Sequence, residues 1–239
     1  MSPSTLLKCI GTATNSMRCM INWNTITTLF LDMDGTLLDL HFDNHFWREH
    51  MPMRFAQYNG LELEAAREHL FPRFQSMEGK MEWYCVDYWS QELGMDIAEL
   101  KREVDHLISI HPHVTDFLSA ARDCKKHIAL VTNAHSKSLS LKMQRTQLAD
   151  SFDSIVCAHD IGLPKEEPAF WEKLQLTEPF DKSTTLLVDD SLPVLRSAKQ
   201  YGIKNLLAVR RPDSKAIEKD VEEFNAINNF SDIMPINHS

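Results

Sequence analysis

Five short apolar runs, three of them ending in polar residues, constrain the fold of this chain more than any other feature. They are 28–34 (TLFLDMD), 127–133 (HIALVTN), 154–158 (SIVCA), 184–190 (TTLLVDD) and 204–209 (KNLLAV). Unbroken apolarity without alternation indicates strands buried on both faces, as in a parallel sheet covered by helices. Helical spacing fills most of the intervals. After the fourth run, Ser191 can serve as N-cap, Leu192, Leu195, Ala198 and Tyr201 fall on one face, and Gly202 can close the helix. Strand, helix, strand predicts an α/β fold with a doubly wound parallel sheet.

One interval breaks this rhythm. Residues 40–112 carry no strand pattern, only amphipathic or aromatic helical segments near 43–57, 62–71, 82–93 and 97–108, with Gly60, Gly79 and Gly94 as breaks. The reading is a helical domain spanning 40–112, inserted into a core domain made of 20–39 and 113–239. The 239 residues suffice for both.

Several classes of function are set aside. No apolar run reaches the roughly 18–20 residues of a membrane-spanning helix. The five cysteines (Cys9, Cys19, Cys85, Cys124 and Cys157) are odd in number, scattered and without a CxxC pair, so a reducing, cytoplasmic setting is expected. A net charge of -9 without a basic stripe argues against polymeric nucleic acid as a partner. A phosphorylated small molecule remains compatible with it, provided a metal ion and a few placed donors outweigh the general field locally. Residues 1–19 hold Lys8 and Arg18 and no acid, either a targeting segment or a disordered tail ahead of a functional start at Met20. Oligomeric state is not legible.

In open parallel sheets the ligand crevice lies outside the carboxyl ends of the strands. There the sequence places Asp32 and Asp34 after the first run, Thr132 and Asn133 after the second, and Asp189 and Asp190 after the fourth, with Lys165 in the loop after the third. Carboxylates meeting at one point repel unless a hard cation sits among them, and oxygen-only ligands suit Mg²⁺. A neighbouring lysine adds charge, and a threonine hydroxyl can donate to a phosphate oxygen. Such a set suits phosphoryl transfer. Singly, each aspartate could equally be a helix cap or a turn former, and Lys165 a solvated loop residue.

Asp32-Met33-Asp34-Gly35-Thr36 resembles the DxDGT signature of the haloacid dehalogenase (HAD) superfamily, and Thr132, Lys165 and the Asp189–Asp190 pair follow in the order of its other motifs. The resemblance implies a Rossmann-like core and a Mg²⁺-dependent phosphomonoesterase. In it Asp32 is the nucleophile that is transiently phosphorylated, and Asp34 the general acid and base. Mg²⁺ is held by the Asp32 carboxylate, the Asp34 carbonyl and Asp190, with Asp189 as a second acid. Thr132, Lys165 and the main-chain N–H groups around Met33 and Asn133 hold the phosphoryl oxygens. An insert between the first and second motifs resembles a C1 cap, which closes over the site and selects the substrate.

Within the insert, 38–47 (LDLHFDNHFW) and 83–94 (WYCVDYWSQELG) are similar to bacterial GMP/IMP 5'-nucleotidases of this superfamily, as are 132–135 (TNAH) and 162–166 (GLPKE). That resemblance implies hydrolysis of purine nucleoside 5'-monophosphates, with Asn44, His45 or Arg54 reading the carbonyl edge of a base stacked on a cap aromatic. Alternatives are a HAD phosphatase or mutase acting on phosphoglycolate or sugar phosphates, and a catalytically silent HAD fold serving as a binding module. Trp83, Tyr84, Tyr88 and Trp89 read as packing within the insert, His111 and His113 as solvent or packing histidines, and Cys124 and Cys157 as inert core residues.

Overall fold

The computed structural model describes residues 21–236, so the expectations for 1–19 lie outside the described residues. Six strands form one parallel sheet: β1 (Thr28–Leu31), β2 (His127–Thr132), β3 (Ser154–Cys157), β4 (Thr185–Asp189), β5 (Asn205–Val209) and β6 (Ala226–Ile227), in the order β3-β2-β1-β4-β5-β6. β1 pairs with both β2 and β4, so the chain moves outward from it in opposite directions. That reversal opens a crevice at the carboxyl ends of β1, β2 and β4.

Alternate residues of the central strands feed two separate cores, as a two-residue side-chain period requires. Leu29, Leu31, Ile128, Leu130, Leu186 and Val188 pack with Val114, Phe117 and Ala121 on one face. Phe30, Ala129, Val131 and Leu187 pack with Phe170, Trp171, Leu174 and Leu195 on the other. With both faces covered, each run has to be apolar throughout, and that is why the runs were legible.

β1 to β4 end earlier than their apolar runs. β1 stops at Leu31 because the chain turns there, with Leu37 and Leu38 both donating N–H to the Met33 carbonyl. β6 was not foreseen, since two residues carry no readable period. Ser191 stands at the N-cap position but makes no side-chain capping bond; its own N–H is taken by Asp189 Oδ1 at 2.9 Å.

Between β1 and β2 lie α1 (His41–His45), a π-helical turn (Phe46–His50), α2 (Met51–Asn59), α3 (Leu63–Met77), α4 (Met81–Tyr84), α5 (Val86–Leu93), α6 (Ile97–Glu103) and α7 (Val114–Asp123). The helices from α1 to α6 gather their own apolar core around Phe42, Phe46, Phe74 and Trp89. Asp96 caps α6 by accepting the Glu99 N–H at 3.0 Å. The two links to the sheet run side by side, joined by an antiparallel bridge between Leu38 and Ile110. The remaining helices are α8 (Ser136–Thr146), α9 (Ala158–Ile161), α10 (Pro168–Thr177) and α11 (Leu192–Tyr201), which Gly202 closes at φ +108°. Among the described residues no helix is long and apolar enough to cross a membrane.

Candidate active site

The turn after β1 carries the first two aspartates. Gly35 sits at φ +83°, and a Cβ there would lie 2.8 Å from Asp190 Cγ, so only glycine allows both the turn and the close approach of the Asp190 carboxylate. Carboxylate oxygens of Asp32, Asp189 and Asp190 all lie within 4.8 Å of one another. The structure thus brings the ends of β1 and β4 to one point.

Lys165 is the counter-charge at this point. Its buried Nζ donates to Asp32 Oδ1 at 2.5 Å, Asp189 Oδ2 at 2.7 Å and the Val131 carbonyl at 2.9 Å. Burial opposes its charge, but Asp189 and Asp32 outweigh that and hold the ammonium above its usual range. Asp189 is therefore occupied on both oxygens, one by Lys165 and one by the Ser191 N–H. Burial pushes the Asp32 carboxyl up to about 6, with Lys165 holding it down and Asp189 driving it further up. Burial, then the charges of Asp32 and Asp189, push Asp190 well above the carboxylate range.

Asn133 ties the end of β2 to the Lys165 loop. Its Oδ1 accepts the Lys165 N–H at 2.9 Å, and its Nδ2 donates to Glu166 Oε2 at 2.9 Å. Tyr84, from the insert, donates to the other oxygen of Glu166 at 2.5 Å. Thr132 is buried and accepts the Ala134 N–H on Oγ1 at 3.0 Å, which leaves the hydroxyl hydrogen to donate elsewhere.

Asp34 has partners that the sequence did not suggest. Lys142 of α8, buried to 1% exposure, donates to Asp34 Oδ1 at 2.6 Å and to Asp43 Oδ2 at 2.5 Å. Asp43 Oδ1 takes Lys101 Nζ at 2.8 Å. Burial raises Asp34 to about 6, with Lys142 opposing and Asp43 and Asp32 reinforcing. Burial also disfavours the Asp43 carboxylate, yet Lys101 and Lys142 outweigh it and hold that carboxyl well below its usual range. Burial depresses Lys101 despite Asp43. Lys142 falls four residues after Ser138 on the inward face of α8, and its partners lie about 100 residues away in sequence.

The charges do not balance. Asp32, Asp34, Asp43, Asp189 and Asp190 face Lys165, Lys142 and Lys101, five carboxylates against three ammonium groups, and adding the nearby Glu166 and Lys219 leaves the difference unchanged. With all of these acids ionised the deficit is two charges, which a divalent cation would offset, and the ligand atoms on offer are all oxygen. This donor set fits a hard divalent ion.

Beside Asp34 opens a cavity of about 530 Å³, within the range of small-molecule sites. Trp47, Phe71, Phe74, Trp83 and Tyr84 give it aromatic walls, and Asn44, Arg48, Gln75 and Glu78 supply polar groups. The aromatic cluster therefore divides. Trp89 packs inside the insert against Trp47 and Phe74, whereas Trp83 and Tyr84 line the cavity. Asn44 also lines it, with Nδ2 donating to Asp213 Oδ2 at 2.7 Å. His45 pairs with Glu49, and Arg54 with Glu103 at 3.2 Å; neither lines this cavity. Arg48, which the sequence reading passed over, does. His111 Nε2 meets the Pro212 carbonyl at 3.1 Å and His113 is exposed, in keeping with their packing and solvent readings.

Comparison with known proteins places this geometry. The chain is 34% identical over 219 residues to the GMP/IMP nucleotidase YrfG of Escherichia coli K12, an alignment covering 92% of this chain and 99% of that protein. Its fold matches the crystal structure of a HAD phosphatase from Thermococcus onnurineus with a TM-score of 0.69 at 20% identity, covering 84% of this chain and 92% of the other. It also matches the putative HAD-hydrolase YfnB of Bacillus subtilis, solved bound to magnesium, with a TM-score of 0.63 at 19% identity over 86% and 96% of the two chains. Residues 29–208, which run from β1 into β5 and include each of the strand-end acids, match the model of one family, and this chain belongs to it: the haloacid dehalogenase-like hydrolases.

Proposed function

We propose that this hydrolase is a Mg²⁺-dependent phosphomonoesterase that cleaves purine nucleoside 5'-monophosphates, GMP and IMP foremost, to nucleoside and phosphate. The observation that carries the reading is the joining of the Asp32–Lys165–Asp189–Asp190 cluster to an aromatic cavity through Asp34, which borders both. The likeness to the GMP/IMP nucleotidase of E. coli supports the choice of substrate.

Asp32, Asp190 and the Asp34 carbonyl would hold the cation. Both oxygens of Asp189 are already engaged, which supports Asp190 as the ligand and Asp189 as the acid that anchors Lys165. When bound, Mg²⁺ supplies charge stabilisation to the phosphoryl oxygens and removes the mutual repulsion of the acids.

A carboxylate oxygen of Asp32 attacks phosphorus as the P–O5' bond breaks, and the bonding pair leaves with O5', which takes the proton of the Asp34 carboxyl. Water then attacks the aspartyl phosphate. Asp34 takes a proton from it, the Asp32–phosphorus bond breaks, and Asp32 is restored as a carboxylate. Lys165, the Thr132 hydroxyl and the N–H groups around Met33 and Asn133 hold the transferring oxygens. Asp34 at about 6 suits a group that must give and then accept a proton near neutral pH.

The helices of 40–112 form a cap in this reading. The base stacks among Trp47, Phe74 and Trp83, and Arg48 donates to its carbonyl edge, replacing the earlier expectation for His45 and Arg54. Phosphate release from GMP, IMP, AMP, phosphoglycolate and sugar phosphates, with Mg²⁺ and with EDTA, tests the proposal. The oxopurine nucleotides should lead, EDTA should abolish turnover, and Asp32→Asn should abolish it with the fold intact. A flat profile across the panel refutes the substrate assignment.

A further inference from the structure

Lys142 lies outside the reaction just described. It does not line the cavity and does not touch Asp32, yet it is one of the largest fully buried side chains in the molecule. Burying an ammonium is costly unless it is paired on several sides. Here it is: Asp34 Oδ1 at 2.6 Å, Asp43 Oδ2 at 2.5 Å, and the Phe42 ring with its centroid 5.2 Å away. Asp43 is in turn fixed by Lys101, whose Nζ lies 4.8 Å from the Phe46 ring centroid and 5.1 Å from that of Phe42. Four charged groups thus alternate in sign from the turn after β1, through α8, to α1 and α6.

An ammonium group has three donors and no lone pair. The Asp34 oxygen that faces Lys142 accepts from it, and since a carbonyl oxygen is the better acceptor, the contact favours a proton on Oδ2. The same contact stops the carboxyl group from rotating about its last bond. Resting on the reading of Asp34 as the acid and base, we propose that Lys142 is its positioning residue. Lys142 determines which oxygen bears the proton and where that oxygen points, and the Asp43–Lys101 pair of the insert holds Lys142 in place. Because Asp34 and Lys142 belong to the sheet and its helices while Asp43 and Lys101 belong to the insert, the acid is aligned only when α1 is seated against α8.

Leaving groups separate this role from a general structural one. A nucleoside alkoxide needs the proton as the P–O5' bond breaks, whereas p-nitrophenolate leaves with the bonding pair and needs none. With saturating Mg²⁺, Lys142→Met should lower kcat for GMP by about 100-fold while KM stays within about twofold, since loss of alignment by about 1 Å costs this much. The same variant should keep a rapid first-turnover burst of p-nitrophenolate from p-nitrophenyl phosphate, within a few-fold of the parent rate. Its steady state should be slow, because hydrolysis of the aspartyl phosphate again calls on Asp34. Asp43→Asn keeps both amines and should show the same selective loss at roughly 10-fold; it carries the test if Lys142→Met does not fold.

Asp34→Asn serves as the reference. If it shows the selective loss and neither Lys142→Met nor Asp43→Asn does, the positioning role is wrong and the acid stands. If Asp34→Asn itself slows the burst and GMP turnover equally, the acid role fails and this inference fails with it. Equal loss of the burst and of GMP turnover in Lys142→Met alone would likewise overturn the proposal.

Discussion

The Nζ of Lys165 lies 2.5 Å from Oδ1 of Asp32, with both side chains buried and 133 positions apart in sequence. The contact opposes the effect of burial on the Asp32 carboxyl and joins the β3 side of the sheet to β1. The Lys165 loop is held there twice more, through the Asn133 side chain and through Trp171, whose Nε1 donates to the Lys165 carbonyl at 3.1 Å.

Removing the amine should therefore destabilise the protein as well as silence it. Lys165→Met leaves Asp32 and Asp189 buried beside each other without their cation. Loss of one partner from such a buried set costs about 3–5 kcal/mol. Urea denaturation with EDTA present measures this directly, and a loss below about 1 kcal/mol would mean that the two acids are less dependent on Lys165 than the geometry implies.

On the proposed mechanism, Gly35→Ala should act on Mg²⁺ binding rather than on Asp32. A methyl group at φ +83° and 2.8 Å from Asp190 Cγ must displace that carboxylate. Disturbing the support of a ligand typically costs about 10–100-fold in metal affinity. A Mg²⁺ titration of phosphatase activity should show at least a tenfold rise in the concentration needed for half-maximal rate; an unchanged curve would argue that Asp190 does not hold the ion.

Protons and the cation should compete. Asp32 is raised from 3.8 to about 6, so in the metal-free protein its protonated form is favoured by folding. A carboxyl raised in this way contributes stability that is full below pH 4 and lost as pH rises through about 6. Mg²⁺ binds the ionised form and reverses the loss only above that range. The rise in Tm on adding Mg²⁺ should be large at pH 7.5 and small at pH 5, by thermal denaturation. Equal gains at the two pH values would contradict the assignment of Asp32 as a ligand.

Arg48→Met should change choice of base more than rate of chemistry. A guanidinium can donate twice to O6 and N7 of an oxopurine but meets a donor at N6 of adenine, a discrimination of about 1–3 kcal/mol. Accordingly kcat/KM for GMP should fall by roughly 10–100-fold and that for AMP should hardly move. Parallel losses for both nucleotides would remove Arg48 from base recognition.

The fold was readable because strands buried on both faces have to be apolar throughout, and because Gly202 closes α11 where a positive φ is needed. β6 escaped because its two residues hold no pattern. At the site, Asp32, Thr132, Lys165, Asp189 and Asp190 were legible because strand ends in a parallel sheet share one edge, whatever the lengths of the connections. Lys142, Asp43 and Lys101 were not. A lysine on an amphipathic helix normally reads as solvated, and only the packing of α8 against α1 and α6 removes these three from water.

The insert shows the same division. Its helices follow from period and glycine breaks, but the sequence could not say that Trp89 faces inward while Trp83 and Tyr84 face the cavity, or that Arg48 rather than Arg54 borders it. Side-chain period along one helix reports which residues share a face, not what that face meets. The family, the parallel sheet and the strand-end acids follow from local pattern and chain order, so sequence alone determined them. The link from Asp34 through Lys142 and Asp43 to Lys101, and the contact of Lys165 with Asp32, join residues 58 to 133 positions apart, which only the folded chain brings together, and the same packing decides the walls of the cavity.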